Sequence, residues 1–158
     1  MEQHDEVLVA LRRIIRAIDL RSKKLLQTSG LTGPQLLVLQ AIGQGGELAS
    51  GDLARQVSLS QATITSILDR LERRHLVQRT RDTRDKRKVL ARLTEEGQQA
   101  LKNAPTLLQE DFINRFQRLE SWEQTLLLSS LQRIAQMMDA QDLDASPLLT
   151  TGNVTPPE

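Results

Sequence analysis

The stretch "DLARQVSLSQATITSILDRLERRHLVQR", residues 52–79, decides the fold. Ile64, Ile67, Leu68 and Leu71 recur at i, i+3, i+4 and i+7, which places one apolar stripe on a helix from Gln61 to about Arg74. Ser60 stands where its side-chain oxygen can accept from the N–H groups that a helix start leaves unpaired. A shorter helix, about Gly51 to Val57, comes first, and Ser58-Leu59-Ser60 makes the turn between the two. Two short helices on a tight turn describe a helix-turn-helix. Away from the stripe the second helix presents Gln61, Thr63, Thr65, Ser66, Arg70 and Arg73. Short amides and hydroxyls with arginine can meet base edges and phosphates, whereas a merely solvated face favours Glu and Lys. The residues nearest the helix start (Gln61, Thr63, Thr65, Ser66) are expected at base edges, with Ser60 and Arg70 at phosphates. Arg73 and Arg74 lie near the helix end, where one of them complements the helix dipole. His75, just past the end, reads as an ordinary capping or surface residue.

Downstream, residues 79–92 carry seven Lys or Arg side chains. "LVQRT" and "KVLARL" alternate apolar and polar residues around the charged tip "RDTRDKR", which predicts a β-hairpin. Arg84 and Arg87 sit on that tip, and a narrow minor groove attracts arginine through its enhanced negative potential. Asp85 would by itself repel phosphate. Paired with Arg87, it instead fixes the guanidinium and reduces the rotamer entropy lost on binding. Thr94 then caps a further helix, with Glu95 and Glu96 at its positive end.

The flanks are helical. Val7, Leu8, Leu11, Ile14, Ile15, Ile18, Leu25 and Leu26 predict a long amphipathic helix over about Asp5–Gln27, ended by "TSG". Thr32 and Gln35 form a capping box for a helix that runs through Ile42 and stops at Gly43, Gly45 and Gly46. Another long helix follows Thr94 to Leu119, bent at Pro105. Ser121 and Gln124 read as a second capping box, opening a final helix with the stripe Leu127, Leu131, Ile134 and Met138. Residues 141–158 lack periodicity and are expected to be a disordered tail.

The charge distribution supports a polyanion as partner. From Asp69 to Arg92 ten Lys/Arg face four Asp/Glu, while from Leu93 onward four basic residues face ten acidic ones. The 158 residues contain no cysteine and two histidines, which leaves no thiol chemistry and little basis for a transition-metal site or cofactor. No nucleophile–base pair and no phosphate-cradling glycine loop stands out, so an enzyme is not expected. No apolar run is long enough for a membrane span and the start lacks a signal-peptide pattern, so a cytoplasmic protein is expected.

Taken together, residues 48–97, and above all "DLARQVSLSQATITSILDRLERRHLVQR" and "DTRDKRKVLARLTEEG", resemble the MarR family of bacterial transcription regulators. The order and length of the outer helices extend the resemblance to about Asp5–Asp139. It implies a mainly α, winged helix-turn-helix fold, with a DNA-binding lobe at about 32–93 and dimerisation helices at about 5–28 and 95–140. It further implies a homodimer on a double-stranded, pseudo-palindromic operator, acting as a repressor. Family members often take small organic anions in a cleft, where Arg16, Asp19 and Arg21 would either line such a cleft or make an interchain salt bridge. "RAIDLRSKKLLQTSGLTGPQLLVLQAI" with "VSLSQATITSILDRLE" also resembles a subgroup tied to compatible-solute genes, which implies an osmotic or ionic signal. The alternative is a winged-helix protein-interaction module without DNA binding. Its mark would be an apolar exposed face on the second helix, and that face is polar.

Overall fold

The computed structural model describes residues 1–143, 145 and 147–151. They form two compact units, Met1–Pro105 with the described residues from Pro147 onward, and Thr106–Ser146.

The first unit opens with α1 (Gln3–Ser29), which ends at Gly30 in the left-handed conformation. α2 (Gly33–Gly45) starts on the expected capping box, with Gln35 N donating to Thr32 Oγ1 and Thr32 N to Gln35 Oε1. Strand β1 (Glu47–Ala49) leads into α3 (Ser50–Val57) and, across the turn, α4 (Gln61–Arg73). The hairpin strands β2 (Val77–Arg81) and β3 (Val89–Leu93) follow, then α5 (Glu95–Asn103). Ile64, Ile67, Leu68 and Leu71 are each at most 1% exposed, so the stripe that defined α4 is its buried face. They share the core with Leu36, Val38, Leu39 and Ile42 of α2, Leu53 of α3, Val77 and Ala91.

The sheet order is β1-β3-β2, both pairs antiparallel, with Leu48 opposite Ala91 and Thr80 opposite Leu90. β1 was not legible in the sequence, because three residues carry no periodicity; its existence depends on pairing with β3.

The second unit holds α6 (Leu108–Phe116) and α7 (Ser121–Met137). The single helix expected from Thr94 to Leu119 is broken. Ala104, preceding Pro105, takes φ −70°, ψ 143°, because the proline ring drives the preceding residue out of the helical region. The capping box of α7 is Glu120 with Glu123, not Ser121 with Gln124. Gln124 is drawn elsewhere, its Nε2 donating to the carbonyls of Phe116 (3.0 Å) and Leu119 (3.3 Å) at the end of α6. Within the segment 141–158, expected to be a disordered tail, Leu148 is buried and Thr150 and Thr151 bond to α1. The rest of that expectation falls in part on Asp144, Ser146 and 152–158, outside the described residues.

One close approach joins the helix-turn-helix to α5. Thr94 N donates to Leu76 O (3.1 Å), Thr94 Oγ1 donates to His75 O (2.5 Å), and Gly97 N donates back to Thr94 Oγ1 (3.0 Å). This packs Gly97 onto the Leu76 carbonyl, where a Cβ would collide with the oxygen and lie 2.9 Å from the carbon. Backbone cannot give way as a flexible side chain can. Gly97→Ala should therefore destabilise the protein by about 3 kcal/mol or more, read by urea denaturation; a loss below about 1 kcal/mol would contradict the rigidity of this contact.

Candidate nucleic-acid interface

α4 begins where Ser60 accepts from Thr63 N (3.1 Å), and the Ser60 and Thr63 hydroxyls lie 2.8 Å apart. Thr65 Oγ1 donates to Gln61 O (2.9 Å). Its proton is thereby used inside the helix, so toward an outside partner the hydroxyl acts as an acceptor. Gln61 and Thr65 are exposed; Thr63, Ser66 and Arg70 are half-buried.

The hairpin tip is built by aspartates. Arg84 N donates to Asp82 Oδ1 (2.9 Å), Arg87 N to Asp85 Oδ1 (3.1 Å), and Lys88 N to Asp85 O (2.9 Å). Asp85 Oδ1 also lies 3.5 Å from Arg87 Nε, while the Arg87 side chain stays 94% exposed. Asp85 thus shapes the turn and holds the base of the guanidinium while leaving its outer edge open. Arg81 Nη1 donates to Lys86 O (3.3 Å) across the tip.

What aims the hairpin is Arg79, counted in the sequence as one more cation of the basic run. Its Nη2 donates to Asp69 Oδ1 (2.6 Å) and Glu72 Oε1 (3.1 Å) on α4, and its backbone N donates to Glu72 Oε2 (2.9 Å). The Glu72 carboxyl is held below its ordinary value, first by the hydrogen bond from the Arg79 guanidinium, against the opposing effect of partial burial. Sequence reasoning missed this role, although Asp69 and Glu72, three residues apart on one helix face, were a signal for it.

The consequence is a groove of about 460 Å³ between the start of α3, the exposed face of α4 and the hairpin. It brings together Gln61, Thr65 and Arg87 from the expected set and adds Arg55 and Lys88. Arg55 pairs with Asp52 one helical turn earlier. Ser60, Thr63, Ser66, Arg70, Arg73, Arg84 and Asp85 do not line this groove. Arg73 and Arg84 are exposed beyond it, and Arg70 is engaged within the fold. Arg74, one of two candidates for complementing the α4 dipole, instead donates to Gly30 O (2.6 Å) and Ser29 O (3.3 Å) at the end of α1. The groove thus sets hydrogen-bonding amide and hydroxyl groups of α4 beside the cations of α3 and the hairpin, a chemistry that suits base edges and phosphates.

The sequence profile of the MarR family matches residues 31–89, the span from the start of α2 through this groove. The transcriptional regulator HosA of Escherichia coli O111:H- is 34% identical over 113 residues, covering 70% of this chain and 79% of HosA. The chain belongs to the MarR family. Other relatives extend the match along the chain. The uncharacterised HTH-type transcriptional regulator YsmB of Bacillus subtilis (strain 168) is 27% identical over 138 residues, covering 87% of this chain and 94% of YsmB. Among solved structures, PcaV of Streptomyces coelicolor in complex with its natural ligand has a TM-score of 0.59 at 27% identity, covering 82% of this chain and 91% of PcaV. As a MarR-family member the protein is a transcriptional regulator and not an enzyme. No helix among the described residues is long and apolar enough to cross a membrane.

The Arg79 clamp gives a pH dependence whose sign is set by Glu72. A carboxyl whose folded value lies below its ordinary 4.5 contributes stability that is present above about pH 4.5 and lost as pH falls through the lowered value. Denaturant midpoints measured from neutral pH down to pH 3 should therefore fall less steeply in Glu72→Gln than in the parent; parallel curves would assign the acid loss to other groups.

Proposed function

We propose that this regulator binds a pseudo-palindromic operator as a homodimer and represses transcription by occupying it. The observation that carries the reading is the shared groove: Gln61 and Thr65 of α4 line it with Arg87 and Lys88 of the hairpin. In this reading α4 enters the major groove, with Gln61, Thr63, Thr65 and Ser66 at base edges. Thr65, its proton spent on Gln61 O, accepts from an adenine or cytosine amino group. Ser60, Arg70 and Arg73 position the helix on phosphates, and Arg84 and Arg87 reach toward the flanking minor groove with Asp85 shaping their turn.

The homodimer is supported by apolar side chains that a single chain leaves in water. α1 exposes Val7, Leu8, Ile14 and Ile15, and α7 exposes Leu126, Leu127, Leu128 and Leu131. A second copy would cover such stripes and, by twofold symmetry, set two α4 helices about one DNA turn apart. We accordingly take about 5–28 and 95–140 as dimerisation helices, about 32–93 as the DNA-binding lobe, and the cytoplasm as the site of action.

Release by a small-molecule or ionic signal completes the proposal, with compatible-solute genes as targets. PcaV, a structural relative, was solved with a natural ligand. An ionic signal needs no dedicated pocket, because each phosphate contact makes DNA binding weaker as salt rises. Genomic footprinting with and without added salt is the deciding experiment; it should return palindromic sites near osmotic-stress genes whose occupancy falls in salt. Sites that are salt-insensitive and lie elsewhere would remove the osmotic part while keeping the repressor.

Arg87→Ala should weaken operator binding by roughly 1–3 kcal/mol at physiological salt while sedimentation still shows a dimer. Unchanged affinity would withdraw the hairpin from the contact. Deleting residues 1–10 should lower both dimer stability and, through it, operator affinity; a shortened protein that stays dimeric and binds normally would take α1 out of the dimer.

A further inference from the structure

The operator reading leaves Pro147–Thr151 without a task, yet these residues make the longest-range side-chain contacts described for the chain, spanning up to 132 positions. The chain leaves the first unit at Pro105 and re-enters it at Pro147. There Leu148 is only 6% exposed. Its Cδ1 would lie 3.4 Å from a Cβ on Gly33, and Thr150 Oγ1 would lie 3.7 Å away, so the bare backbone at the start of α2 is the floor beneath both. Ser22 of α1 is the polar hub. Its hydroxyl donates to Ile18 O (2.9 Å), accepts from Thr151 N (3.3 Å) and lies 3.4 Å from Thr150 Oγ1. Thr151 Oγ1 donates to Asp19 Oδ1 (3.0 Å), while the other oxygen of Asp19 holds Lys23 Nζ (2.9 Å) and Arg16 Nη1 (3.5 Å).

These contacts are side-chain specific: an apolar anchor over a glycine, two hydroxyls, and a backbone N–H directed at a serine. A tail merely draped on the surface would leave Leu148 in water. The gain from one buried leucine and a few hydrogen bonds is of the same order as the entropy of ordering five residues. The contact is therefore poised to open, not permanently closed.

We propose that Pro147–Thr151 is a latch that docks on the corner made by Asp19 and Ser22 of α1 and Gly33 of α2, and so fastens these two helices of the first unit to each other. A fastened corner restricts the arrangements that α1 and the start of α2 sample in the free protein, so less order has to be imposed when DNA binds. Opening the latch, by competition for the corner or by loss of the tail, lowers operator affinity without touching a DNA-contacting residue. The effect on DNA rests on the operator reading above; the docking itself does not.

The test uses the full chain with Leu148→Asp and, as a second variant, a chain ending at Ser146. Hydrogen exchange without DNA reads the docking, and titration of an operator duplex recovered by footprinting reads the coupling. Both variants should exchange faster over residues 18–36 and bind the duplex roughly three- to tenfold more weakly. A synthetic peptide of residues 147–158, added in excess to the shortened chain, should restore both. Unchanged exchange over 18–36 overturns the latch. Faster exchange with unchanged affinity overturns its coupling to DNA. Failure of the unmodified protein to bind any duplex would instead remove the operator reading, and the exchange comparison would still decide the docking.

Discussion

The guanidinium of Arg79 holds two elements that the sheet and the core alone would leave free to move against each other. The hairpin is anchored in the sheet at its base, and its tip is a polar, mostly exposed loop. Two carboxylates of α4, Asp69 and Glu72, fix the hairpin relative to that helix through one planar cation and one backbone N–H. Everything that makes the groove a single surface depends on this clamp, because Gln61 and Thr65 lie on one side of it and Arg87 and Lys88 on the other. An arginine suits the task better than a lysine, since its planar Nη2 carries two N–H groups in fixed directions, one for each carboxylate.

Charge in this segment therefore has two uses that composition cannot separate. Arg79 is turned inward and spent on structure, whereas Arg87 is left 94% exposed with only its Nε held near Asp85. The aspartates of the tip, which look like a dilution of the positive charge, are what fold it: each accepts from a backbone N–H two residues on. A basic run that was all lysine and arginine would carry more charge and less shape.

Most of the fold was legible because its signals are local. The i, i+3, i+4, i+7 stripe of α4, the Thr32–Gln35 box and the Ser60 and Thr94 caps each need only a few neighbouring residues, and each stands where expected. What was illegible depends on partners far along the chain. β1 exists only against β3, Arg79 gains its role only from α4, and Leu148 is buried where it meets Gly33 at the start of α2. The misplaced box at the start of α7 is a local error of another kind: Ser121-Gln124 and Glu120-Glu123 compete one residue apart, and Gln124 is withdrawn by carbonyls at the end of α6. For the groove, the residue pattern placed Gln61 and Thr65 on the exposed face of α4, where the structure has them, but could not show the company they keep with Arg55 and Lys88.

The pairing of β1 with β3 has a consequence for how the chain reaches this state. Glu47 to Ala49 and Leu90 to Arg92 are partners, and the whole of α3, α4 and β2 lies between them in sequence. The helix-turn-helix is thus enclosed in a loop that closes only when the last strand of the hairpin arrives, and loop closure of that length must be met before its contacts repay it. Local helices form early and alone remain marginal. The helix-turn-helix and the hairpin are accordingly coupled through one closure, and the groove that both line depends on it.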